Sequence, residues 1–310
     1  LKLVTFVNAN GEMRAGWLAR GAESGEPFAG VFDMNLETGG RLPSDMLTFI
    51  RRYDEYAAVI EAERLTEAPP TYRLEEVTLK APLPNPSSVR DFVAFETHVK
   101  NATMRSGTTV APEWYEIPIF YFSNHHAIVG PDEKVKRPQK SRRLDYELEI
   151  ACVIGREGRN IKAEEAEQYI FGYTIFNDWS ARDLQFQEMK VNLGPAKGKD
   201  FATSIGPWLV TKDELEPYRT GDKFDLRMTA KVNGRLLTDG NFKEIYYSFA
   251  QMIERASADV TLYPGDILGS GTVGYGCILE LGEEVHRWLE PGDVVELEVT
   301  GLGRLRNEVV

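Results

Sequence analysis

Three carboxylates on two apolar runs carry the first chemical signal in this sequence. Asp145-Tyr146-Glu147-Leu148-Glu149 lies in the apolar run 144–155, and Asn177-Asp178-Trp179-Ser180-Ala181-Arg182-Asp183 follows a second run, 169–176. Alternate residues of a strand share one face, so Glu147 and Glu149 are expected on one side of a sheet, about 7 Å apart. Like charges at that spacing repel and lose hydration unless a cation lies between them. With Asp178 at the end of the second run they form an oxygen-only donor set, the kind that binds a hard divalent ion such as Mg²⁺, Mn²⁺ or Ca²⁺. The expected chemistry is metal-assisted. Plainer readings stay open: Glu-x-Glu decorates the solvent face of many strands, and Ser180 could N-cap a helix beginning at Ala181, with Asp183 near the capping-box position. Against the first, Leu144, Tyr146, Leu148 and Ile150 occupy the opposite face and run on into Ala151-Cys152-Val153-Ile154, as in a strand packed on a core. Capping leaves Asp178 without a role.

The histidines are His98, His125, His126 and His286. In Asp91-Phe92-Val93-Ala94-Phe95-Glu96-Thr97-His98 an Asp and a His stand seven residues apart. Were the stretch helical, both would project from one side about 10 Å apart, one to bind a metal and one to handle a proton. A lone His on an amphipathic helix is also an ordinary surface or core residue. His125 and His126 would face opposite ways on a strand and are read as structural; His286 receives no role. Leu193-Gly194-Pro195-Ala196-Lys197-Gly198-Lys199-Asp200-Phe201 lacks phosphate-loop spacing. It could still bring Lys199 to an anionic substrate. Leu268-Gly269-Ser270-Gly271-Thr272 offers backbone N–H groups and a hydroxyl, and turn chemistry accounts for both loops equally well.

The elements that must position these residues follow from pattern and punctuation. Residues 1–80 read as a small N-terminal α+β domain: strands at 1–7, 15–19 and 30–34, then a helical stretch from 44 to about 67, stopped by Ala68-Pro69-Pro70. A strand at 77–83 and Pro84-Asn85-Pro86 lead into a main domain, 84–310, rich in strands, with short helices at 163–168, 181–190 and 246–255. Asn233-Gly234 marks a hairpin. The net charge of −12, with no basic run beyond 134–143, argues against nucleic acid and membrane as partners. Cys152 and Cys277 sit in apolar segments and are expected buried and free. No leader pattern and no apolar run of membrane-crossing length are visible, so a cytoplasmic protein is expected.

From about Arg90 to the C-terminus the sequence resembles the fumarylacetoacetate hydrolase family. The stretches that carry the resemblance are Asn177–Asp183 as spelled above, Asp145-Tyr146-Glu147-Leu148-Glu149, Gly198-Lys199-Asp200-Phe201 and Leu268-Gly269-Ser270-Gly271-Thr272, in the family's order. It implies a β-rich α+β fold, a mixed β-sheet roll, commonly a homodimer, with Mg²⁺ (or Mn²⁺ or Ca²⁺) held by Asp91, Glu147, Glu149 and Asp178. It further implies His98 as general base, Glu280 of Gly276-Cys277-Ile278-Leu279-Glu280-Leu281 as its orienting carboxylate, and Lys199 as a catalytic donor. Arg105, Tyr121, Gln185 and Thr272 become substrate contacts. The implied reaction is cleavage of a C–C bond in a β-diketo acid, of fumarylacetoacetate or acylpyruvate type, by His-activated water beside the ion. Two alternatives stand beside it: decarboxylation or isomerisation of a 2-oxo acid on the same metal site, and a non-enzymatic protein stabilised by its ion. The sequence departs from the hydrolase proper at Val93 and near Met189-Lys190, where tyrosines are expected, and in the short Thr272-Val273-Gly274-Tyr275-Gly276. Losing two phenols implies a different or looser substrate, still a small anionic keto acid.

Overall fold

The computed structural model describes residues 1–20, 28–63 and 69–310. In chain order its main elements are strands β1 (Lys2–Val7), β2 (Met13–Arg20) and β3 (Phe28–Asp33), helices α1 (Met46–Arg51) and α2 (Tyr53–Glu63), then β4 (Ser88–Phe92), α3 (Glu96–Arg105), β5 (Phe120–Ser123), β6 (Leu148–Ile154), β7 (Ile170–Asp178), α4 (Arg182–Met189) and β8 (Thr203–Thr211). The C-terminal part adds β9 (Arg227–Val232), β10 (Arg235–Asn241), α5 (Phe249–Ser257), β11 (Asp266–Gly269), α6 (Ile278–Leu281), β12 (Val294–Val299) and β13 (Gly303–Val309). Local sequence explains several boundaries. Asn8 accepts the backbone N–H of Asn10 and of Glu12 and turns β1 into β2. Asp45 caps α1 through the Thr48 N–H at 2.8 Å. The helical stretch expected from 44 onward is two helices broken at Arg52, and its expected end at 64–68 lies outside the described residues. Asn233 and Gly234, both at positive φ, close the β9–β10 hairpin as their types predict.

A 12-stranded mixed sheet runs β3-β2-β1-β8-β7-β6-β11-β4-β5, with three two- or three-residue strands added to it. In that order each neighbouring pair is antiparallel except β11 with β4. A second sheet of five strands contains β10-β9-β12-β13. The N-terminal strands continue the large sheet, because β1 pairs with β8. Side-chain alternation gives the large sheet two different faces. Leu148, Ile150, Cys152 and Ile175 pack toward the second sheet and α5. Val89, Ala151, Val153, Phe176 and Ile267 pack instead against Phe49, Ile50 and Ile60 of α1 and α2. Asp91, Glu149 and Asp178 follow or precede members of this second set by two residues, so they belong to its face, at the end of the sheet where the apolar cover stops. Cys152 and Cys277 are buried and free. No described helix is long and apolar enough to cross a membrane.

Candidate active site

Each carboxylate reaches one spot from a different element. Asp91 comes from β4, Glu149 from the start of β6 and Asp178 from the end of β7. Glu147 precedes β6, where the expected continuous strand over 144–155 is interrupted. Leu144–Asp145 pairs with Ser180–Ala181, and the Glu147 N–H turns to the side chain of Asn177 at 3.0 Å. One oxygen from each of Asp91, Glu147, Glu149 and Asp178 lies within 4.8 Å of the others, and all four residues are buried. Gly269 makes that approach possible: a Cβ there would stand 2.5 Å from Asp91 Oδ1 and 3.1 Å from Glu149 Oε2.

The donors around the cluster are few. Lys199 Nζ donates to Glu147 Oε2 at 2.6 Å and to Asp178 Oδ2 at 2.5 Å. The Tyr121 hydroxyl donates to the same Asp178 oxygen at 2.6 Å, and the Gly271 N–H to Glu149 Oε2 at 2.8 Å. Arg182 Nη2 lies 2.9 Å from Glu147 Oε1 but also 2.8 Å from Asp145 Oδ2, so Asp145 shares its charge. Four carboxylates therefore face one lysine and half an arginine. Asp91 Oδ1, Glu149 Oε1 and Asp178 Oδ1 are buried without any hydrogen-bond partner, a condition native interiors avoid. Oxygen-only donors, excess negative charge and three bare oxygens fit a hard divalent cation.

The acidities tell the same story. Burial raises Asp91, reinforced by Asp178, and raises Glu149, reinforced by Asp91, Glu147 and Asp178. Burial also raises Asp178, against the pull of Lys199. At Glu147 burial opposes ionisation, but Lys199, Arg182 and His98 outweigh it and hold the group below the ordinary carboxylate range. A carboxylate with a raised folded value contributes stability that is full below the unfolded value of about 4 and is lost as pH rises through the folded one; Glu147 works in the opposite sense. Three groups against one predict that the protein with chelator loses melting temperature as pH rises above the unfolded carboxylate value of about 4, and that saturating Mg²⁺ or Mn²⁺ removes most of this slope. Parallel melting curves with and without the ion would contradict the donor set. Gly269→Ala adds a methyl where Asp91 Oδ1 stands, and overpacking of this kind costs about 1–3 kcal/mol. With half of that cost falling on the bound state, the calorimetric Kd for Mn²⁺ is expected to rise by about two- to twelvefold.

His98 stands beside this cluster on α3, buried, its Nδ1 2.6 Å from Glu280 Oε1. The helical path expected from Asp91 to His98 is not what links them. Asp91 is in β4, Val93 and Ala94 bond to Ile119 and Ser270 at a corner, and only then does α3 begin. Glu280 is held on its other oxygen by Asn101 Nδ2 at 2.9 Å and the Tyr275 N–H at 2.8 Å. Its carboxyl lies below the ordinary range: burial opposes this, and His98 overrides the burial.

The other expected residues divide. Thr272 is buried in the turn after β11. The Gln185 side chain accepts from Arg182 Nη1 at 3.1 Å. Arg105 is an exposed residue bonded to Leu281 O at 3.0 Å and Glu284 at 2.7 Å. Ser180 does not cap α4, because it lies in the short strand paired with Asp145 and donates to Asp178 O. Asp183 accepts instead from Ser141 and the Arg142 N–H. His125 and His126 occupy a turn, not a strand, with ring centroids 4.1 Å apart. Sequence reasoning passed over Asp145 and Arg182 as site residues although both lie inside quoted motifs; a charge pair 37 residues apart leaves no local signal.

A strand-rich α+β fold that gathers buried carboxylates, a lysine and a His–Glu pair at its strand ends defines an enzyme class built around an acidic, cation-accepting centre. Residues 87–310 match the family model described as fumarylacetoacetate (FAA) hydrolase C-terminal. The chain belongs to the fumarylacetoacetate hydrolase family and is an enzyme of that superfamily. A mitochondrial oxaloacetate tautomerase of Bos taurus is 33% identical over 291 residues, covering 94% of this chain and 87% of that protein. The solved structure of a fumarylacetoacetate hydrolase from psychrophilic Exiguobacterium antarcticum superposes with a TM-score of 0.71 at 27% identity, covering 99% of this chain and 98% of the other. That of a 5-carboxymethyl-2-hydroxymuconate delta-isomerase from Mycobacterium smegmatis gives 0.70 at 27% identity, covering 100% and 99%. The relatives thus include a tautomerase, a hydrolase and an isomerase.

Proposed function

We propose that this chain is a divalent-metal-dependent hydrolase that cleaves a C–C bond in a small β-diketo acid of acylpyruvate type. The observation that carries the reading is the buried 2.6 Å contact of His98 Nδ1 with Glu280, beside the carboxylate cluster. With Nδ1 committed to Glu280, Nε2 is the nitrogen left to take a proton from water, and the anionic partner stabilises the imidazolium that results. An ion held by Asp91, Glu147, Glu149 and Asp178 would supply Lewis acidity to the substrate's oxo groups. The hydroxide generated at His98 adds to the distal carbonyl carbon. The C–C bond then breaks, its electron pair leaves with the pyruvate portion, and His98 returns the proton to that carbon. Lys199 and the half-buried Tyr121 donate here to Glu147 and Asp178 and would turn those donors to the negative charge that builds on the substrate. Arg105, bonded to Glu284 at the surface, would have to leave that partner to meet a substrate carboxylate.

The family match starting at residue 87 supports a division of the chain into an N-terminal unit, 1–80, and a catalytic unit, 84–310. A second reading, keto–enol tautomerisation of a 2-oxo dicarboxylate, is favoured by the Bos taurus tautomerase, which matches nearly the whole chain. In it the same His98 moves a proton between carbon and oxygen and no water adds. The test is turnover of acylpyruvates, fumarylacetoacetate and oxaloacetate, followed by enolate absorbance with Mg²⁺ or chelator, with products identified by mass. Ion-dependent formation of two acids supports hydrolysis. Loss of absorbance at unchanged mass moves the assignment to tautomerase, and CO₂ release to decarboxylase.

A further inference from the structure

Glu280 sits in α6, a single turn whose N-cap, Cys277, makes no side-chain capping bond. The missing acceptor comes from far away in sequence. Asp145, fully buried, accepts the Ile278 N–H on Oδ1 at 2.7 Å and the Leu279 N–H on Oδ2 at 3.0 Å. These are N–H groups of the first turn, which no partner within the helix can satisfy. Oδ2 also accepts Arg182 Nε at 2.9 Å, and the same guanidinium stands 2.9 Å from Glu147 Oε1. A continuous line therefore runs from Glu147 through Arg182 and Asp145 to the turn that carries Glu280, and on to His98.

We propose that Asp145 is a positioning residue for the His98–Glu280 pair, fixing the turn 278–281 so that Glu280 Oε1 meets His98 Nδ1. It touches neither ring nor reacting atoms. Its effect passes through two backbone N–H groups, and Arg182 ties it to the carboxylate cluster. The proposal rests on the reading of His98 as the base, but the contact it concerns can be followed without turnover. A proton shared between His98 Nδ1 and a buried carboxylate gives a far-downfield ¹H resonance, identified by its loss in His98→Ala.

The experiment records that resonance, kcat and KM for wild type, Asp145→Asn and Leu279→Pro. Asparagine keeps one acceptor but presents an amide donor to the second N–H or to Arg182. Proline removes the Leu279 N–H, which no bond within the helix uses, and leaves the Asp145–Arg182 pair intact. The expected result is a shifted or lost resonance in both variants. With it, kcat falls by about 10²-fold, the cost of roughly 1 Å of misplacement, at little changed KM, and Leu279→Pro, which leaves the Arg182 charge shared as in wild type, keeps the Mn²⁺ affinity unchanged. Should Asp145→Asn fail to fold, Leu279→Pro decides alone. A folded variant that keeps the wild-type resonance and kcat overturns the proposal. If His98→Ala proves fully active, the reaction reading fails while the resonance still tests the positioning role.

Discussion

His98→Ala is expected to lower kcat by about a thousandfold while leaving the ion-induced rise in melting temperature intact. General-base assistance contributes typically about 10²–10⁴ in rate, and here the whole of it depends on one imidazole. Burial and the short contact with Glu280 give that ring a single orientation, so no neighbour can take over. Glu280→Gln tests the same pair more gently, since Asn101 and the Tyr275 N–H would then face an amide in place of a carboxylate. The ion's donors are on other elements and remain. At a concentration 100 times its Kd, Mn²⁺ would stabilise wild type and variant alike by about 2.7 kcal/mol. A His98→Ala enzyme with undiminished kcat would remove the base assignment; a variant that no longer responds to the ion would mean the substitution had disrupted the cluster as well.

Arg182→Met should have the largest effect on stability. The arginine is 1% exposed and lies between Asp145 and Glu147, which are themselves buried. Removing it leaves the desolvated Asp145 without a counter-ion and Glu147 with Lys199 alone, a change that costs about 3–5 kcal/mol. In melting temperature that is about 5–8 °C for a chain of this size. The double variant Arg182→Met with Asp145→Asn should recover part of the loss, because the second change removes one stranded charge. Thermal unfolding of the two variants with the ion saturating checks both points. An Arg182→Met protein that melts like wild type would show that the ion pair contributes nothing to the fold.

How far the sequence foretold this site depends on the kind of contact involved. Glu149 and Asp178 stood out in the sequence because strand periodicity and an apolar context make a polar face conspicuous, and Glu147 by its spacing from Glu149, although it lies outside β6. The β9–β10 hairpin was legible because Asn-Gly demands positive φ. Pairings that bring distant segments together carry no such local mark. The turn at Glu147 depends on an Asn177 side chain thirty residues on, the bond that ties Ile278, in the turn of Glu280, to Asp145 spans 133 residues, and the break at Arg52 interrupts a stretch with no Gly or Pro to announce it. Gly269 reads as an ordinary turn glycine in the sequence, and only the convergence of Asp91 and Glu149 above it shows why a side chain is excluded. Family resemblance filled these gaps for His98 and Glu280 but left Asp145 and Arg182 without a role.

The most direct test of the account is the fate of solvent oxygen. An acylpyruvate incubated with the Mg²⁺-loaded enzyme in H₂¹⁸O should yield a carboxylic acid carrying one ¹⁸O in its newly formed carboxyl group, together with pyruvate, at a rate that collapses in His98→Ala. Unlabelled, uncleaved substrate that instead exchanges its C3 hydrogen in D₂O would contradict hydrolysis and assign the same residues to tautomerisation.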